Sequence, residues 1–185
     1  MAKYTDEEIA RSDGPYSPPE EFPLAYLNEM IRRIENFPEE LQKVVSKMTP
    51  QQQDMPYRAG GWKLKQVVHH IADSHMQAYS RFKLTLTEDL PTIKPYIQNA
   101  WAETADSENA DIQLSVDIIK PLHRRWIILL RSMQPQDFTK CYVHPEYQKT
   151  FTLAHVTGMY AWHGYHHLQQ IEMFLENLKS VESNR

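Results

Sequence analysis

The chain has 185 residues, 41% of them hydrophobic and 24% charged, a composition that supports one globular domain with a sizeable core. A formal net charge of −4 and a pI near 6.1 exclude a surface built for nucleic acid, which needs clustered Lys and Arg to release counterions; Arg32-Arg33 and Arg124-Arg125 read as solvated helix faces. No apolar run is long enough to span a membrane and no charged-then-apolar signal segment opens the chain, so a cytoplasmic location is expected. Cys141 is the only cysteine, which excludes an intrachain disulfide and leaves His, Asp and Glu as metal ligands.

Residues 1–23 carry Pro15, Pro18, Pro19 and Pro23 and read as an extended arm. From residue 24, Leu24, Leu27, Met30, Ile31, Ile34, Phe37, Leu41, Val44, Val45 and Met48 recur at helical spacing and predict the first long helix, with Pro38 a possible kink. The stretch TPQQQDMPYRAGGW, with Pro50, Pro56, Gly60 and Gly61, is a connection. Leu64 to about Glu88 has no Pro or Gly, and Leu64, Val68, Ile71, His75, Ala78, Phe82 and Leu86 define the second helix. Residues 89–111 read as a long crossover held down by Tyr96 and Trp101. A third helix follows from about Leu114 to Met133, bent near Pro121. QPQDFTKCYVHPEYQKTFT is an irregular or hairpin-like connection in which Cys141 is a packed or half-exposed thiol rather than a nucleophile. The fourth helix runs from near Leu153 to near Asn177, with a single bundle domain over 24–179 and a polar tail over 180–185. The expected fold is all-α, a four-helix bundle whose long second connection permits a crossover.

Bundle cores are where facing helices build metal sites, and nine histidines are available. In YAWHGYHHLQQI, His163 and His167 fall in the stripe Leu153, Val156, Tyr160, His163, His167, Ile171, Phe174 and Leu178. His166 turns aside with His155, Met159, Trp162 and Gln170, because each residue advances about 100° around the helix. A His pair at i and i+4 places two imidazoles one turn apart, close enough to share a cation, and Gly164 leaves room beside them. One buried His is more often a hydrogen-bonded core residue; two stacked on a core stripe are harder to satisfy that way. A third ligand from VVHHIADSH is either His70, on the edge of the buried face with Val67, Ile71 and Ser74, or His75 on the apolar stripe. His69 turns outward with Asp73 and Met76. The periodicity leans to His70.

The chain lacks HExxH, and no Glu stands three residues before any His, which excludes the zincin motif and the Glu-x-x-His signature of di-iron bundles. Dinucleotide and P-loop fingerprints are also missing. A mononuclear three-His site with open positions remains; its positive centre would lower the pKa of a bound water or thiol and polarise a carbonyl.

PYRAGGWKLKQVVHHIADSHMQAYSRFKLTLTED, PTIKPY, AWAE, YVHPE and YAWHGYHHLQQI together resemble the DinB superfamily, most closely its YfiT-like branch, over nearly the whole chain from about Pro15. The resemblance implies a bundle with one divalent metal per chain, zinc or nickel, held by His70, His163 and His167. It also implies a metal-dependent hydrolase or, as in related members, a thiol-dependent S-transferase such as a bacillithiol transferase, or a thiol-dependent isomerase. Homodimers are common in the family. The first functional expectation is activation of a low-molecular-weight thiol for attack on an electrophilic small molecule. The alternatives are hydrolysis by metal-bound hydroxide and a non-catalytic bundle with a structural ion. Tyr57 and Arg58 are candidates for the substrate site, Arg58 for an anionic group. Asp73 either orients a histidine or pairs with His69 on the surface. Arg81 and Lys83 read as solvated, and Trp62, Trp101, Trp126 and Trp162 as core.

Overall fold

A computed structural model describes residues 2–182. The first segment is not wholly extended, because α1 (Asp6–Arg11) is set by a capping box: the Glu8 N–H donates to Thr5 Oγ1 at 3.2 Å and the Thr5 N–H to the Glu8 carboxylate at 2.8 Å. Ile9 of α1 is 1% exposed, so this turn is docked on the domain rather than free. The prolines at 15–23 then carry the chain to α2 (Leu24–Val45), whose Leu27, Ile31, Ile34, Phe37, Leu41 and Val44 are buried at the predicted spacing.

After α3 (Pro50–Gln53), a tight turn over Tyr57–Trp62 leads into α4 (Leu64–Thr87). Gly60 sits at φ 66°, where glycine is at ease. A Cβ at Gly61 would lie 2.8 Å from Arg58 Cγ, so the turn closes only around a glycine. Residues 88–111 are less irregular than expected, since they contain α5 (Gln98–Ala102) and α6 (Ala105–Asn109). Next comes α7 (Ile112–Ser132), capped by the Asp111 side chain. A short 3-10 helix (Pro135–Thr139) precedes a hairpin of β1 (Cys141–His144) and β2 (Lys149–Thr152), antiparallel with Cys141 opposite Thr152. The Ile93 and Val143 N–H groups donate to Val143 O and Pro91 O, which ties the 91–96 segment beside β1. The last helix, α8 (Leu153–Glu182), is longer than predicted: residues 180–182 of the expected tail continue it, and 183–185 lie outside the described residues.

The fold is the four-helix bundle that the periodicity predicts, built from α2, α4, α7 and α8. Both α2 and α4 pack on α7 and on α8, so α2 and α4 occupy opposite corners. The long 88–111 segment therefore joins neighbours, while the crossings from corner to corner fall at 46–63 and 133–152. A diagonal link needs length, which the turn at 46–63 and the hairpin at 133–152 supply. The core divides into a cluster around Phe82, Trp126, Tyr142 and Tyr160 and another around Phe37, Leu41, Val68 and Ile171. No helix among the described residues is long and apolar enough to cross a membrane.

Candidate metal centre

Between the two clusters, α4 and α8 bring His70, His163 and His167 together, one ring nitrogen of each within 4.8 Å of the others. Hydrogen bonds fix the tautomers of two of them. Pro38 has no N–H, so the carbonyl four residues before it, Ile34 O, has no partner within α2. That oxygen accepts from His123 Nδ1 at 2.7 Å, leaving His123 Nε2 to accept from His75 Nδ1 at 2.8 Å. His75 Nε2 in turn faces His163 Nδ1 at 3.4 Å. Run from the acceptor-only carbonyl outward, this chain puts the proton of His163 on Nδ1 and its lone pair on Nε2. His167 is set the same way: its Nδ1–H donates to Gln170 Oε1 at 2.8 Å, while Gln170 Nε2 donates to Ala10 O at 3.0 Å. His70 Nε2 completes the cluster, 3.3 Å from His163 Nε2.

Burial keeps these rings neutral, as ligands must be. It pushes His70 down to about 4. His167 is held at about 3 by burial first and the neighbouring His70 second. His163 lies well below its ordinary value through burial and the surrounding His167, His70 and His75. Two fixed lone pairs and a third imidazole, converging in a place that disfavours protons, form a donor set that fits a divalent cation. Gly164, between the two α8 histidines, makes room for Phe37 of α2: a Cβ there would meet Phe37 Cε2 at 2.9 Å, so the glycine lets α8 approach α2.

The three rings open on a cavity of about 510 Å³, and both Tyr57 and Arg58 line it with Trp62, Gln98 and Gln170. Arg58 Nε donates to Tyr57 Oη at 3.1 Å, and Ala59 N–H donates to Asp6 Oδ2 at 2.9 Å, so α1 clips the turn that presents them. Trp62 is therefore a wall of this cavity rather than core, its ring 4.8 Å from that of His70. His166 is outside the three-His cluster, as the helical wheel indicates, yet it lines the same cavity. Its Nδ1 lies 3.0 Å from Asp13 Oδ1 and 2.6 Å from Ser12 Oγ, and its Nε2 accepts from Gln170 Nε2 at 3.1 Å.

Several side chains lie elsewhere than the sequence suggests. His69 is buried, not turned outward, and its Nδ1 is 2.7 Å from Ser115 Oγ on α7 rather than paired with Asp73. Burial first and Asp106 second raise the Asp73 carboxyl to about 6. The cause of these misreadings is α6 and the 88–111 segment, which cover a face of α4 that a four-helix wheel leaves to solvent. Arg81 is likewise buried, with Nη1 donating to Tyr160 Oη at 3.4 Å, whereas Lys83 is exposed as expected. Of the tryptophans, Trp126 alone is fully enclosed; Trp101 is 37% exposed and Trp162 lines a second cavity. Gln170 and His123 escaped the sequence reading. Gln170 stands three residues after His167, a spacing that could have pointed to it; nothing in the sequence ties His123 to Ile34.

The model of the DinB superfamily matches residues 33–171. Among similar proteins, one from Bacillus pumilus, named "Putative metal-dependent hydrolase", is 48% identical over 158 residues, covering 85% of this chain and 90% of its own length. Another from Bacillus subtilis, "Putative metal-dependent hydrolase YfiT", is 44% identical over 167 residues, covering 90% of this chain and 94% of its own length. A solved structure of YfiT, described as "a probable metal-dependent hydrolase with an unusual four-helix bundle topology", superposes with a TM-score of 0.91 at 40% identity, over 93% of this chain and 98% of that one. Family match, sequence identity and bundle topology agree across nearly the whole length, and the chain belongs to the DinB superfamily, in its YfiT-like branch.

Proposed function

We propose that this protein is a metal-dependent enzyme in which one divalent ion at His70, His163 and His167, zinc or nickel, activates a low-molecular-weight thiol for transfer to an electrophilic small molecule. Such an ion is a Lewis acid that lowers the pKa of a thiol or water bound to it. The observation that carries the thiol over water is the composition of the cavity: among the described residues its lining contains no Asp or Glu. A metal acidifies bound water as well, but a thiol starts far closer to ionisation, with a free pKa of about 8.5, so it depends less than water does on a carboxylate base to complete the proton transfer. His166, the histidine of the lining outside the three-His cluster, already uses its Nε2 lone pair on the Gln170 amide.

The chain's own residues then have separable tasks. Gln170 and the His75–His123 pair hold the ligand rings in register, Arg58 offers a cation to an anionic part of the thiol or substrate, and Trp62 walls off water beside His70. Hydrolysis is the second reading, favoured by the names of the similar Bacillus proteins. A panel of electrophiles assayed with and without added thiol separates them. Transfer predicts product only when thiol is present and thiol loss matching product; equal turnover without thiol overturns it. A homodimer and a cytoplasmic location belong to the same proposal. Leu114, Ile118 and Ile128, exposed along one side of α7, offer an apolar face for the dimer, and sedimentation of wild type against I128E tests it.

A further inference from the structure

Among the described residues, six buried side-chain polar atoms have no hydrogen-bond partner, and four of them belong to residues around one cavity: Arg81 Nε, Tyr96 Oη, His144 Nδ1 and Trp162 Nε1. Buried polar groups are satisfied as a rule, so four orphans in one place ask for a missing partner. Their chemistry defines it. Arg81 and Trp162 have donors only, and Tyr96, with the Ser74 hydroxyl beside its oxygen, keeps its own O–H to give, so the partner must accept. Arg81, on α4, is 7% exposed; its hydrogen-bond partners are the hydroxyls of Tyr160, 3.4 Å from Nη1, and of Tyr142, and among the described residues it takes part in no ion pair. A buried guanidinium without a carboxylate is costly unless an anion joins it.

The place is defined as well. The cavity has a volume of about 150 Å³, room for a group the size of about five waters at ~30 Å³ each. It is roofed by the 91–96 segment and the β1–β2 hairpin, the same two pieces that pair through Ile93 and Val143. His163 and Gln98 line both this cavity and the one that opens on the three histidines, so the two spaces meet at a candidate metal ligand. Glu146, the one carboxylate of the lining among the described residues, is exposed. With one cation deep inside and one anion at its edge, the cavity suits a single negative charge better than the double charge of a phosphate.

We propose that the Arg81 cavity binds the carboxylate of a small organic monoanion, held by Arg81, Tyr96 and Trp162, with the molecule's reacting end directed past His163 to the three-His site. The direction of the reacting end rests on the metal reading above; the carboxylate subsite does not. Arg58 and Arg81 thus stand on two sides of the histidines, one for each of two partners in a transfer.

The indole N–H resonances of nitrogen-15-labelled full-length protein, with and without added zinc, test this directly, with Trp162 assigned by W162F. Titration with butyrate should move the Trp162 signal saturably, and the neutral butyramide should not. The signal of Trp126, in the core, should stay in place. R81M should weaken butyrate binding at least tenfold and Y96F several-fold. Equal shifts from butyrate and butyramide overturn the proposal, as does unchanged butyrate affinity in folded R81M; if R81M does not fold, unchanged affinity in Y96F overturns it. Tighter binding of inorganic phosphate than of butyrate overturns the assignment to a carboxylate. Metal content, measured on the same samples, reports separately on the three-His reading: butyrate binding in protein that takes up no zinc sinks that reading and leaves the subsite standing.

Discussion

Two layers of histidine share the middle of this bundle and end differently. In the inner layer, His75 and His123 stack at 5.0 Å with an interplanar angle of 11°, and all four of their ring nitrogens face another polar atom within the protein. In the outer layer, His163 and His167 each spend one nitrogen on the protein and leave the other turned toward His70 and the cavity. Burial lowers the pKa in both layers, so burial does not distinguish a ligand from a core residue. What distinguishes them is where the hydrogen-bond chain stops. The inner pair is the link between a proline-freed carbonyl and the tautomer of His163, a role for two costly polar rings in the core.

The largest expected effect breaks the outer layer. Replacing His70, His163 and His167 together by Ala should reduce bound divalent metal from about one ion per chain to none, as read by elemental analysis after dialysis. The same measurement on H75A should still find metal, bound more weakly, because His75 orients a ligand without being one. Full metal retention in the triple variant would remove the cluster from consideration.

Breaking the inner layer should cost stability and weaken its dependence on pH. Burial pushes His123 down from 6.5 to about 4. In the unfolded chain this ring takes a proton below about 6.5, while in the folded chain it stays neutral until about 4. Its contribution is therefore complete above 6.5 and lost as pH falls through that window, about 3 kcal/mol in all at 1.36 kcal/mol per unit. Urea unfolding of metal-free protein between pH 7 and pH 4 should show this slope together with that of the other buried histidines, and H123L should reduce it by the share of His123. H123L also leaves Ile34 O and His75 Nδ1 without partners, at about 1–3 kcal/mol for each buried group, so it should be less stable at pH 7. Equal slopes in wild type and H123L would show that other groups carry the acid sensitivity.

The contrast between the layers also marks how far the sequence could be read. The helical stripe places His163 and His167 together because they share one element and one period, and the bundle follows from four such stripes. Periodicity only leans to His70 over His75 and the resemblance decides between them, since the choice depends on how α4 is rotated against α8. His69 and Arg81 were misread for a common reason: α6, the 91–96 segment and the hairpin cover faces of α4 that a wheel assigns to water, and no local pattern announces a cover supplied by distant chain. The docking of α1 is of the same kind. Its capping box, Thr5 with Glu8, is legible; its contact with Gln170 through Ala10 O is not.

A smaller effect should follow from Gln170, which holds His167 from outside as His75 holds His163 from inside. Q170L removes the acceptor from His167 Nδ1 and should weaken metal binding about 10- to 100-fold, roughly 1.4–2.7 kcal/mol, the range for partners that orient metal-bound histidines. Q170E keeps an oxygen at that position and should recover most of the affinity. Competition against a chromophoric chelator gives both numbers, and equal losses in the two variants would mean that Gln170 acts through packing alone.

The smallest effect should come from Asp13, and it tests whether His166 belongs to either layer. The His166–Asp13 contact is 3.0 Å long, with side chains 14% and 31% exposed, so solvent screens it and D13N should cost less than about 1 kcal/mol. His166 has one nitrogen on Ser12 and Asp13 and the other on the Gln170 amide, so it has no lone pair left for a metal. Metal stoichiometry and affinity should therefore be the same in D13N as in wild type. If D13N instead weakened metal binding as much as Q170L, the load would pass through Ser12 and Asp13 into Gln170. The segment that follows α1 would then be a working part of the ligand shell rather than a cover beside it.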